Sequence, residues 1–418
     1  MLATVIAKFN KKGLAGLENS PGIWGDVKLS GKKLSMVASP TLDVFPATHH
    51  QKTVVVDNKI GFLGGLNISD YFQDNPRHLK KEPAHDVFCR IEGPVVADLE
   101  RNFVGRWNAE MAAFNTFVAT ANANGKALGK FKIDHRFPIS TLSLSKAAPG
   151  KQGNAVAQVL RTLSSGIQSP VVGSYSVQVV RDDIARSYER AISLATDFIY
   201  IENQVMRLDD LANAIITRFK KATKLQVIVV LPVVPEEIAD GTADQITFHG
   251  QALQHEALTK LKAALGKNVG LYSLLQKRKG TGKFTFLNSV QIDVHCKLIV
   301  VDDLFASIGS ANASPRSFML DSEINVAWYE PDTVKKFRED LWKEHLESPT
   351  GSLFASWKRS DYVQQWDAIA SKNVKVKPEL RQGFVVPHNP DKEKGKKTAL
   401  LPDFLAETGH PDRGATVA

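Results

Sequence analysis

Two stretches of the chain carry the same reactive side chains at the same spacing. The first places His50, Lys52 and Asp57 ahead of Asn67, and the second places His295, Lys297 and Asp302 ahead of Asn312, with a histidine-to-asparagine offset of 17 residues in both. Histidine, with an ordinary pKa of about 6.5, serves as nucleophile or proton donor near neutrality. Lysine and the asparagine amide offer N–H donors to phosphoryl oxygens whose charge changes during transfer. Two such half-sites facing each other would surround one phosphodiester. The two lysines would supply the positive charge that Mg²⁺ supplies in other phosphoryl-transfer sites, so neither a metal nor a cofactor is expected. One His-x-Lys-x4-Asp is a weak pattern, but both copies are followed by a Gly-(Gly/Ser)-x-Asn turn at 64–67 and 309–312, and that agreement is specific.

The positioning elements follow from periodicity. Residues two apart on a strand share a face, so His50 projects with Lys52 and His295 with Lys297. The first strand leads through a turn at Asn58-Lys59 into Ile60 to Leu63; the second leads through Asp302-Asp303 into Phe305 to Ile308. Strands over His85 to Glu92 and Glu323 to Tyr329 come next, then helices from Val95 to about Phe114 and from Pro331 to Leu346. Asp86 and Glu323 hold the same place in the two copies. Each is a candidate to hold the second ring nitrogen of a histidine and fix its tautomer. Asp57 and Asp302 are entered with the catalytic set, although aspartate at a turn is also favoured for backbone reasons.

Between the copies, residues 121–154 are rich in Ala, Gly, Ser, Asn and Lys and read as a linker. The expected division is a first repeat over 1–120, a second over 155–350, and a partly disordered extension over 351–418. The second repeat opens near Val156 and continues with a helix around Asp183 to Ala195, a strand Phe198 to Ile201 ending in Glu202-Asn203-Gln204, a helix Leu208 to Lys221, a strand Leu225 to Leu231 and a helix from about Gln245 to Leu265. This alternation argues for an α/β fold with a parallel or mixed sheet. Residues 3–17 read as a short amphipathic helix, Lys33 to Ala38 as a strand and 71–83 as a polar loop. About 140 residues separate Val156 from His295, whereas 49 precede His50, so the first repeat is shortened or its start is missing.

Composition sets the remaining bounds. A 43% hydrophobic chain of 418 residues can build two cores. Its formal charge of +9 favours anionic partners without choosing among them. Two cysteines, both in strand-like runs, argue against a disulfide framework. No run approaches the roughly 18 apolar residues of a spanning helix, and Leu2 to Ala7 is too short for a signal-peptide core. These features set no compartment, and a missing start would hide any secretion signal.

The paired motifs resemble the phospholipase D superfamily, together with Ile199 to Gln204 and Arg316-Ser317 followed by Asp321 to Glu323. The His49-His50-Gln51-Lys52 form and the segment from His85-Asp86-Val87 through Gly93-Pro94 are especially similar to phospholipase D itself. The resemblance implies two pseudo-symmetric α-β-α domains with mixed central sheets, one site between them, and a monomer acting as an internal pseudo-dimer. It implies hydrolysis of a phospholipid headgroup to phosphatidic acid through a covalent phosphohistidine. His50 would attack phosphorus, His295 would protonate the leaving alcohol, and water or an alcohol would be the acceptor. Lys52, Lys297, Asn67 and Asn312 would hold the phosphate, while Glu202, Asn203 and Gln204 would line the site. A phospholipid membrane surface is the implied partner, and nucleic acid is not. The rival readings are a cardiolipin-synthase-like phosphatidyl transferase, a nuclease, and a non-catalytic lipid-binding protein. Val205-Met206 stands where the family carries an aromatic pair.

Overall fold

A computed structural model describes residues 27–30, 33–36, 48–67, 69–123, 141–171, 174–235, 245–347 and 354–393, with scattered positions nearby. The expected helix at 3–17 lies outside the described residues. In chain order the strands are β1 (Val27–Ser30), β2 (Lys33–Met36), β3 (Thr53–Val56), β4 (Ile60–Gly64), β5 (Ala84–His85), β6 (Phe88–Glu92), β7 (Val156–Val171), β8 (Ser174–Asp182), β9 (Phe198–Asn203), β10 (Gln226–Val230), β11 (Val269–Lys279), β12 (Thr285–Phe286), β13 (Ser289–Gln291), β14 (Asp293–Val294), β15 (Lys297–Val301), β16 (Phe305–Gly309), β17 (Glu323–Tyr329) and β18 (Val385–Pro387). The helices are α1 (Val95–Ala123), α2 (Asp183–Leu194), α3 (Asp209–Phe219), α4 (Gln245–Leu265), α5 (Pro315–Met319), α6 (Pro331–Leu346) and α7 (Tyr362–Asn373).

The architecture is mixed α/β, centred on an eleven-stranded sheet in the order β12-β13-β11-β10-β9-β15-β16-β17-β7-β8, with β18 added beside β11. Strands β9, β10 and β11 are parallel, and β15 turns back antiparallel to β9. The central strands are buried on both faces, which is why they read as continuous apolar runs. Alternate residues serve different layers: Ile199 and Ile201 pack with α2, α3 and α4, whereas Phe198 and Tyr200 pack with Trp342 and Trp366 of α6 and α7.

The first copy forms a separate three-stranded sheet, β3-β4-β6, held against β7 and β17 through Leu63, Ile91, Val96, Leu99, Val159 and Ile324. Its register reproduces the second copy residue for residue. Thr53 faces Leu63 as Leu298 faces Ile308, and Ile60 faces Glu92 as Phe305 faces Tyr329. The difference lies at one edge. β15 has β9 as its outer neighbour, while β3 ends the small sheet and leaves Val54 and Val56 exposed.

One expectation needs correction, and the structure adds detail to three others. The first hairpin turns at Asp57-Asn58 and not Asn58-Lys59, because both apex residues adopt positive φ, of 50° and 52°, which Asp and Asn tolerate better than Lys. The region opening at Val156 is a long hairpin, β7 and β8, that continues the main sheet. The described part of 121–154 does not hang free: Leu142 and Ser145 hydrogen-bond Asn108 and Glu100 of α1. Residues 354–393 are built into the core, with Trp366 fully buried and β18 paired to β11.

Candidate active site

The two halves meet through two short parallel crossings that obey the same pseudo-symmetry. The His295 amide donates to the His85 carbonyl at 2.8 Å, and the His50 amide donates to the Ser322 carbonyl at 3.1 Å. His85 and Ser322 immediately precede Asp86 and Glu323. Each crossing therefore sets a histidine of one half beside a carboxylate of the other. His295 Nδ1 lies 2.7 Å from Asp86 Oδ2, and His50 Nδ1 lies 3.0 and 3.1 Å from the two oxygens of Glu323. With Nδ1–H donated to a carboxylate, Nε2 is the ring nitrogen left to react.

Both carboxylates are held ionised. Burial alone would push the Glu323 carboxyl up, but the charge and hydrogen bond of His50, then Lys52 and Ser310, bring it below the usual range. Asp86 is likewise lowered against its own burial by the hydrogen bond and charge of His295, by Lys297 and by the Val87 amide. The Ser310 and Ser317 hydroxyls donate to Glu323 at 2.5 and 2.7 Å. Gln51 reaches across to Ser322 and is itself held by Asn102 and Arg106 of α1. The His50 side chain is 21% exposed and that of His295 2%, so the two rings meet solvent unequally.

The lysines repeat the symmetry. Lys52 Nζ donates to the His50 carbonyl at 2.9 Å, and Lys297 Nζ donates to the His295 carbonyl and to Gln204 Oε1, the latter at 3.2 Å. Gln204 thus belongs to the site. Asn203 supports it from behind, its Oδ1 accepting the Ala313 amide at 3.0 Å and fixing the residue after Asn312. Asn312 is 8% exposed, and its Oδ1 is buried with no hydrogen-bond partner among the described residues. Asn67 occupies the matching turn: Ser69 N bonds the Asn67 carbonyl as Ser314 N bonds that of Asn312.

Gly65 stands where the second copy has Ser310, and the space explains it. A Cβ there would lie 2.6 Å from Asp86 Oδ1 and 3.1 Å from the His295 carbonyl. Gly65→Ala is expected to displace Asp86 and slow any turnover of a phosphodiester about 10²-fold, measured as kcat on a soluble phosphodiester. A rate equal to the parent's would show that the carboxylate need not sit there.

Three candidates fall outside the site. Asp302 lies at the far end of β15 from His295, where its carboxylate accepts the backbone amides of Thr196, Asp197 and Phe198 at 2.6, 2.9 and 2.8 Å and locks the start of β9. Asp57 is the exposed counterpart, at the outer end of β3. Asp302→Ala is expected to cost about 3 kcal/mol of stability and Asp57→Ala less than about 0.5, both with near-parental turnover once folded. Thermal unfolding and kcat on the same preparations would check both, and a selective loss of turnover in either would restore it to the site.

Glu202 is the third. It is fully buried and faces the α6 layer, where it accepts His85 Nε2 at 3.0 Å, His345 Nε2 at 2.9 Å, the Cys296 thiol at 3.0 Å and the Tyr200 hydroxyl. Burial would raise its pKa, but the charges of His345 and His85 hold it well below the usual range. For His85, burial works downward and is outweighed by Glu202 and Cys296, so its pKa is raised. His85 also contacts Glu344 at 2.9 Å, and Glu344 reaches His78 at 3.2 Å. The donor atoms of His85, Glu202 and Cys296, and those of His78, His85 and Glu344, lie close enough to ligate an ion of the zinc type. They are already engaged with one another as a charge-paired network.

Sequence reasoning missed this network and also Phe72, which packs on the His295 ring with centroids 4.6 Å apart. Phe72 sits in a short 3-10 turn, Asp70–Phe72, within the segment read as a polar loop. Its one signal was an aromatic residue soon after the Gly-Gly-x-Asn turn.

The chain is similar to known proteins over most of its length. Residues 79–207 match the family model described as phospholipase D, and residues 188–345 match that described as cardiolipin synthase, PLD-like domain. The first motif, 50–67, precedes both ranges. Phospholipase D alpha 2 of Arabidopsis thaliana is 25% identical over 428 residues, covering 78% of this chain and 52% of that protein. Phospholipase D delta of the same plant is 25% identical over 493 residues, covering 88% and 56%. The chain thus spans about half the length of the curated relatives it matches. Among solved structures, the phosphatidylserine synthase of Haemophilus influenzae Rd KW20 aligns with 79% of this chain and 70% of its own at 14% identity and a TM-score of 0.44. The phospholipase D family member Nuc from Salmonella typhimurium aligns with 46% of this chain and 94% of its own at 16% identity and a TM-score of 0.28. The chain belongs to the phospholipase D superfamily.

Proposed function

We propose that the chain is a phospholipase D-type phosphodiesterase that cleaves a phospholipid headgroup through a covalent phosphohistidine. The observation that carries this reading is the reciprocal pairing of His50 with Glu323 and His295 with Asp86 across the two halves. His50 Nε2 attacks phosphorus while the bond to the headgroup oxygen breaks, and protonated His295 gives its proton to that oxygen. His295, now neutral, takes a proton from water as the water oxygen attacks phosphorus. The P–N bond breaks, phosphatidic acid leaves, and both rings return to their starting states. Lys52, Lys297, Asn67 and Asn312 hold the phosphoryl oxygens, with Gln204 fixing Lys297.

Phosphatidyl transfer is the second reading, favoured by the match of residues 188–345 to the cardiolipin synthase model. The two share the phosphohistidine and differ in the acceptor. Incubation of phosphatidylcholine with excess primary alcohol should give free choline with both phosphatidic acid and the phosphatidyl alcohol. Transfer product alone would favour the synthase reading, and no headgroup alcohol released from any phospholipid would overturn both.

A further inference from the structure

The strand β11 runs level with β10 and β9 only as far as Tyr272, which faces Val230 as Val230 faces Glu202, next to the Asn203 and Lys297 pair of the site. It then continues for seven residues to Lys279, roughly 23 Å at 3.3 Å per residue. The base of this extension, Ser273 to Gln276, is buried, its end at Arg278-Lys279 is exposed beside the hairpin of β12 and β13, and β13 leads directly back through β14 to His295. The hairpin's apex is Leu287-Asn288, both at positive φ, of 48° and 63°. Asparagine is at home there, but leucine is rare in this conformation, and here it is also 47% exposed. Leu79, 56% exposed, belongs to the same surface: Arg278 Nη2 and Gln276 Nε2 both donate to the Lys80 carbonyl, and Arg381 ties Gln276 to the Leu287 carbonyl. In the segments that carry these two leucines, Lys81, Arg278, Lys279 and Lys283 are exposed, as is Glu82.

We propose that this hairpin, with Leu79 beside it, is the surface by which the protein docks on an anionic phospholipid bilayer, the leucines entering the headgroup boundary and the cations resting on acidic lipid. Water-exposed leucine held at a strained apex, in segments whose exposed charges are mostly positive, matches what such a surface offers: apolar depth for one and negative potential for the other. Soluble acidic partners share only the second element. The inference rests on the lipid substrate proposed above and names the orientation in which the site meets it.

The test separates docking from chemistry. Sedimentation with vesicles of phosphatidylcholine alone and with added phosphatidylserine should show binding that rises with phosphatidylserine and weakens with salt. Lys279→Ala and Lys283→Ala should each lower partitioning about 5-fold. Leu287→Asn, which suits the turn, should weaken it further while preserving the thermal transition. Hydrolysis of p-nitrophenyl phosphocholine, which needs no bilayer, should be unchanged in all three variants. Vesicle binding equal to the parent's in these variants would overturn the docking proposal, as would a parallel loss on the soluble diester. Vesicle binding that depends on the hairpin in a protein inactive on every diester would instead retain the docking surface and remove the phosphodiesterase reading.

Discussion

With phosphatidylcholine as substrate, His50→Ala and His295→Ala are each expected to release choline at least about 10⁴-fold more slowly than the parent, because the rings act as one unit. The two losses should differ in kind. A substrate with p-nitrophenolate as leaving group needs little protonation, so His295→Ala should complete the first step on it and stall with phosphorus bound to His50. His50→Ala should release no p-nitrophenol at all. A burst in the His295 variant, with an acid-labile phosphoryl group on His50 found by mass spectrometry, would establish the order of roles. The reverse pattern would exchange them. Glu323→Gln should mimic the His50 variant and Asp86→Asn the His295 variant, since each amide presents the wrong partner to Nδ1.

The second large effect concerns stability. Glu202→Gln removes the carboxylate that bridges His85 and His345 in the buried network and is expected to cost about 3–5 kcal/mol, the scale for stripping one partner from a buried ion pair. The pH dependence has a defined sign. Glu202 has a lowered folded pKa, so its contribution is present above its ordinary value near 4.5 and is lost as pH falls through the folded value. His85 has a raised folded pKa, so its contribution is complete below about 6.5 and is lost as pH rises through the folded value. Together they favour the folded parent most between these limits. The Glu202→Gln variant should show its largest Tm deficit there and a flatter profile outside. A uniform deficit at every pH would mean that packing, not charge, is what Glu202 contributes.

Much of this site could be read from the chain because duplication supplied its own control. A second His-x-Lys strand with the same turn 17 residues on fixed the hairpins, and the matching places of Asp86 and Glu323 marked them as partners. What could not be read was which histidine each would serve. That depends on the β5–β14 pairing and on the Thr48 to His50 contact with Ser322, both too short to leave a periodic trace. Glu202 misled for a related reason. Its neighbours Asn203 and Gln204 lie at the site, but alternation along β9 turns Glu202 to the layer opposite Asn203, and Gln204 follows only after the strand has ended. Asp302 carried the motif's final letter and spent it on backbone amides at the other end of the strand. The C-terminal helix was obscured by charge: Tyr362, Val363, Trp366, Ile369 and Ala370 keep helical spacing, but Lys and Pro around them lower the average.

The crossings that pair the histidines with their carboxylates also limit how the molecule can turn over. The amides of His50 and His295 are themselves part of the seam, so a hinge motion that parted the halves would strip each ring of its anchor in the same movement. For the proposed reaction, this seam favours substrate entry and product exit with the halves shut. Under the proposed reaction, the motions that set the pace would then fall to the small segments bordering the site, such as the turn that ends in Phe72, and not to a gaping of the halves.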